Sequence, residues 1–103
     1  MKRILSSLYL LLISIALLAN DRFAVADIFT DHMVLQRNAN VKVWGEGTDG
    51  SQIEVRFEGQ NRKTVVAKGK WTVDLKTGEA GGPYKLEIVN GNHKICFKDV
   101  FVG

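Results

Sequence analysis

Gln52-Ile53-Glu54-Val55-Arg56-Phe57-Glu58 decides the fold. Ile53, Val55 and Phe57 fall on one side of a two-residue repeat, with Gln52, Glu54, Arg56 and Glu58 on the other. Successive side chains of an extended chain point to opposite faces, so this alternation describes a strand with one face buried and one in water. Working outward, Trp71, Val73 and Leu75 alternate with Lys70, Thr72 and Asp74, and Tyr84, Leu86 and Ile88 alternate around Lys85 and Glu87. Weaker strands are expected at Ile28-Phe29 with Met33 to Gln36, at Val41 to Gly45, at Lys63 to Ala67, and at His93 to Lys98 running on to Val102.

Composition supports the same reading. Residues 27–103 hold ten Val, only three Leu and all ten Gly, which favours pleated strands joined by tight turns over helices. Turn chemistry lies at Gly45 to Ser51, Gly59 to Asn61, Lys68-Gly69, Gly78 to Pro83 and Asn90-Gly91-Asn92. Asn90-Gly91 is the sharpest hairpin signal, because both residues tolerate positive φ. About seven short antiparallel strands at this spacing predict an all-β, two-sheet sandwich of immunoglobulin-like or jelly-roll-like type, with the strand order left open.

Residues 1–26 are of another kind. They contain 18 of the 47 hydrophobic residues and seven of the ten leucines, but no glycine. Lys2 and Arg3 form a basic start, Leu8 to Ala19 is an apolar run broken only by Ser14, and Ala24-Val25-Ala26 places small residues at −3 and −1. This predicts a signal peptide, helical over its apolar run, cleaved before Asp27, and a periplasmic or extracellular product. The rival reading is a retained anchor. The uncharged stretch from Ile4 to Ala19 is only sixteen residues, against about 20 needed to span the hydrocarbon, which favours a leader. No Cys follows the run to accept a lipid.

Removing residues 1–26 takes 14 basic and 11 acidic residues to 11 and 10, and the net charge from +3 to +1. The apparent basicity belongs mostly to the leader. Arg62-Lys63 and Lys68 to Lys70 are short solvated clusters, not the stripe that a nucleic-acid surface requires. The single Cys cannot form an internal bridge, and a 77-residue remainder without disulfide or metal is marginal alone. Val100-Phe101-Val102-Gly103 ends the chain on an apolar run, which suggests a module that continues into a further domain.

Candidate chemistry is sparse. Ser51 is the sole serine after residue 26 and lies in Thr48-Asp49-Gly50-Ser51-Gln52, which lacks the nucleophile elbow and reads as a β-turn. His93 and Cys96 are three apart, which on a strand sends them to opposite faces and prevents shared metal ligation. Asp31-His32 is an adjacent pair of the type that caps a turn. Cys96 shares a strand face with Lys94 and Lys98, as expected of a partly covered thiol. Glu54 and Glu58 lie on one face roughly 13 Å apart at strand rise, beyond either glycosidase geometry. Trp44 alternates with Val41 and Val43 and is expected to face out of their core, either to stack on a sugar ring or to dock a neighbouring domain.

One ordered string of motifs resembles the N-terminal region of the sialate O-acetylesterase family, secreted carbohydrate esterases with an SGNH-type catalytic domain. It comprises Asp31-His32-Met33-Val34-Leu35-Gln36-Arg37, Val43-Trp44-Gly45, Gly59-Gln60, Gly69-Lys70-Trp71, Ala80-Gly81-Gly82-Pro83-Tyr84 and Asp99-Val100-Phe101-Val102-Gly103. Each is weak alone; their order and the Met-Val-Leu-Gln-Arg run make the set fairly specific. In that family the last segment leads into a Ser-Gly-Gln-Ser-Asn-Met block carrying the nucleophile, with Asp and His much further along, and this chain stops before them. The resemblance therefore implies a parent that hydrolyses O-acetyl esters on sialic acid or related sugars by serine attack, with a His base held by Asp and an oxyanion hole. It transfers no catalytic, cofactor-binding or metal residue, and the chain alone is expected to be inactive. Trp44 and Arg37 remain as candidate contacts to the substrate rim or the missing C-terminal esterase domain. Two rival readings stand beside this: a free-standing glycan-binding sandwich, and an adhesion or assembly subunit with an open last strand.

Overall fold

A computed structural model describes residues 22–103. The chain forms β1 (Phe23–Val25), β2 (Val34–Leu35), β3 (Asn40–Gly47), β4 (Gln52–Phe57), β5 (Gln60–Val65), β6 (Lys70–Lys76), β7 (Gly81–Asn90) and β8 (His93–Val102). These build a three-stranded sheet, β1-β3-β6, and a five-stranded sheet, β2-β8-β7-β4-β5. Strands β3 and β6 lie in one sheet while β4 and β5, then β7 and β8, lie in the other. The fold is thus all-β in two sheets, with the chain passing between them after β1, β2, β3, β5 and β6.

The two-residue alternation places the core. Val43, Trp71, Val73 and Leu75 point inward from the smaller sheet, while Ile53, Val55, Phe57, Leu86, Ile88, Val100 and Val102 meet them from the larger one. Phe29, Leu35 and Val66 complete this cluster from the connections and from β2. Burial along β6 alternates strictly, with Trp71, Val73 and Leu75 buried and Lys70, Thr72, Asp74 and Lys76 exposed. Thr77 is the buried polar exception, its hydroxyl donating to the Gln36 carbonyl and accepting the Ala39 N–H at 3.0 Å.

Several expectations require correction. The sandwich is not purely antiparallel, since β2 runs parallel to β8 with Val34 opposite Phe101 and Leu35 opposite Val102. Residues 26–33 carry the chain from the edge of one sheet to the edge of the other, where it arrives travelling in the direction of β8. Apart from these corrections, Phe23, Ala24 and Val25 form edge strand β1 against Gly47, Glu46 and Gly45, a pairing that leaves the expected leader cleavage untouched. The turn after β4 is Glu58-Gly59, with Glu58 outside the strand, because Phe57 already pairs with Gln60. No helix occurs among the described residues, and the helix expected over the apolar run lies outside them.

β8 carries an irregularity that alternation alone does not show. Leu86 faces Phe97 and Tyr84 faces Val100, so one residue of β7, Lys85, opposes two of β8, Lys98 and Asp99. The extra residue lies at Lys98-Asp99, and Asp99 adopts φ 52°, the signature of a β-bulge that bends the strand and re-aims a side chain.

Candidate functional site

Trp44 stands on the outer face of the three-stranded sheet, 40% exposed. Phe29 meets its ring edge-on at a centroid separation of 5.2 Å and 79° between planes. Two grooves flank it. On the β1 side, Ala24, Ala26, Asp27, Glu46 and Lys70 help line a space of about 350 Å³. Toward β5 and β6, Lys42, Thr64, Val65, Ala67 and Thr72 help line one of about 460 Å³. Exposed Val65 makes the second groove the more apolar.

Charges of both signs surround the indole. Lys42 faces Asp74 and Glu46 faces Lys70 across the strand pair, with the Arg22 guanidinium 2.9 Å from the Glu46 carboxylate. Beneath this surface Trp71 lies opposite Gly45, its indole N–H donating to the Glu46 carbonyl at 3.1 Å.

Arg37 occupies a different place. It follows β2, its N–H donating to the Gly103 carbonyl at 3.2 Å, while the Thr77 hydroxyl secures the loop through Gln36 and Ala39. Exposed Val34 and Phe101 lie directly opposite one another beside it. Trp44 and Arg37 therefore belong to two separate surfaces, the outer sheet face and the β2–β8 edge.

The groups weighed for acyl transfer are not assembled. Ser51 closes a turn, its N–H donating to Thr48 O at 3.0 Å and its carbonyl accepting from Val66. His32 Nδ1 lies 3.2 Å from Asp99 Oδ2, both side chains well exposed, while the adjacent Asp31 instead caps the Lys98 N–H at 2.7 Å. The strand registers put Ser51 near the Asn90 end of the larger sheet and Asp99 near Tyr84, roughly 20 Å away at strand rise. The His32–Asp99 contact was illegible in the sequence, since it depends on a bulge and on partners 67 positions apart.

Other polar groups are engaged locally. Arg56 bonds Glu54 at 3.1 Å and holds its carboxyl below the usual range, and Lys94 at 2.7 Å does the same to Glu87. A hydrogen bond to Glu58, with burial and its charge behind it, raises the Tyr84 phenol. Cys96 is a free, half-buried thiol opposite Glu87. Among the described residues no three His, Cys, Asp or Glu side chains gather as a metal site.

No family model matches this chain, and none of the curated proteins does. Among solved structures, it is similar to a carbohydrate acetylesterase from Xanthomonas citri, with 33% sequence identity over 78% of the chain and a TM-score of 0.74. The chain spans only 19% of that protein's length. The likeness in sequence and fold together supports a link to carbohydrate esterases, as an esterase-related β domain, and does not single out sialate esters.

Proposed function

We propose that the chain is the N-terminal, non-catalytic β-sandwich of an exported sialate O-acetylesterase-like enzyme, packed beside an esterase domain in the periplasm or outside the cell. The likeness to a carbohydrate acetylesterase over a fifth of that protein's length carries the reading. The separation of Ser51 from the His32–Asp99 pair supports the non-catalytic part. In the parent, an esterase domain would supply nucleophile, base and oxyanion donors, and this module would contribute support or a rim contact through Trp44 or Arg37.

Acetate release tests it. The full chain, exported from a bacterial host, should release acetate from O-acetylated sialic acid and from a chromogenic acetate ester no faster than buffer; turnover would overturn the claim. Reading the nucleotides beyond the Gly103 codon tests the parentage. A Ser-Gly-Gln-Ser-Asn-Met block supports it, and its absence in every frame removes the esterase parent.

The exposure of Trp44 between two grooves favours a second reading, glycan binding by ring stacking. Titration with sialylated and plant glycans should shift indole emission under that reading. Flat curves at millimolar sugar would eliminate it.

A further inference from the structure

Ala24-Val25-Ala26 offers a leader peptidase small residues at −3 and −1, yet the folded chain uses the same residues as part of the sandwich. Phe23, Ala24 and Val25 pair with Gly47, Glu46 and Gly45. The ladder is secured at both ends. Arg22 N–H donates to Thr48 Oγ1 at 2.7 Å while Thr48 N–H returns to Arg22 O at 3.1 Å, and Ala26 N–H donates to Trp44 O at 3.0 Å. Phe23, Val25 and Ala26 pack, half-buried, against the core, and the Arg22 guanidinium reaches Glu46.

The facing strand is fitted to this occupant. A Cβ on Gly45 would collide with the carbonyl oxygen of Ala24 and come within 2.8 Å of the Trp71 indole. At Gly47 an added Cβ would meet Val66 at 2.9 Å and the Arg22 carbonyl at 3.5 Å. Glycine within a strand is unfavourable unless another group approaches closely, and at position 45 part of that group is β1 itself. Cleavage before Asp27 would discard the whole of β1, leave β3 as an open edge and remove the donor to Trp44 O.

We propose that the leader is cut N-terminal to Arg22, so that the mature module keeps β1. The inference rests on reading the N-terminal apolar run as a leader. Ala19, which closes that run, is the small residue available at −1, with the aliphatic Leu17 instead of a small residue at −3, making Ala19–Asn20 the bond cut. Water adds across this amide: the Ala19 carbonyl carbon gains the hydroxyl and becomes a carboxylate, and the Asn20 nitrogen gains the hydrogen and becomes the new α-amino group. The host's membrane-bound signal peptidase is the catalyst.

The full chain, residues 1–103, should be produced in a Gram-negative host and its periplasmic product analysed by intact mass and N-terminal sequencing. An N-terminus between Asn20 and Arg22 is the expected result. One at Asp27 overturns the inference while leaving the leader reading intact, whereas a chain still beginning at Met1 removes both. Two variants sharpen the outcome by reading processing instead of folding. Ala19→Gln should accumulate precursor and Ala26→Gln should be cut at the native bond; the opposite pattern overturns the inference.

Discussion

Gly45 and Tyr84 show how single residues hold the two ends of this sandwich. Gly45 lies where β1 and the Trp71 indole both approach β3, so a methyl group has no space to enter. Gly45→Ala should cost about 2–3 kcal/mol of stability, readable as a lower urea midpoint at unchanged slope. Tyr84 packs edge-on against Phe57 at 5.6 Å, and a hydrogen bond from its hydroxyl to Glu58 raises its pKa. A phenol raised in the folded state contributes stability that is present below its unfolded pKa and lost as pH climbs through the folded one. Alkaline titration of phenolate absorbance should therefore place Tyr84 above the usual tyrosine range, and Glu58→Gln should bring it down. Glu54 and Glu87 act in the opposite sense: their lowered values mean that stability present above the unfolded carboxyl pKa is lost as pH falls through the folded one. The double variant Glu54→Gln, Glu87→Gln should flatten the acid limb of a Tm-against-pH curve, with the difference shrinking in salt because both pairs are exposed.

Among the elements, the hairpins separate what could be read from what could not. Strands β4 and β6 were legible because each alternates without a break, and the buried positions follow that alternation residue by residue. Lys68-Gly69 was legible as a turn, and both residues adopt positive φ, 54° and 75°. Lysine there bears a Cβ penalty that asparagine largely escapes. Lys68→Asn should add about 0.5–1 kcal/mol of stability and raise Tm by a few degrees in calorimetry. Asn90-Gly91 was recognised as a hairpin, but Asn90 pairs with His93, so Gly91-Asn92 is the loop and Gly91 alone has positive φ. The bulge at Asp99 was hidden because nothing in Lys98-Asp99-Val100 marks a skipped pairing. Its consequence, the His32 contact, was hidden with it.

For the molecule as a whole, two sheets and an apolar core could be inferred from composition and alternation, whereas the fate of residues 22–37 could not. Short apolar runs do not announce which edge they join. Here one segment places β1 on the smaller sheet and β2 on the larger, fastening the sandwich across its seam where no disulfide does. Leu35, 6% exposed, is the inward anchor of that second attachment. Leu35→Ala should cost about 2–4 kcal/mol and speed hydrogen exchange at the Phe101 and Gly103 amides, which donate to Met33 and Leu35. The β2–β8 pairing also governs timing: Val34 must wait for the synthesis of Phe101, 67 residues later, before its partner exists. Closure of so distant a contact comes late in this sandwich, so a ribosome or a translocation channel handling these residues would meet an open, threadable segment until β8 arrives.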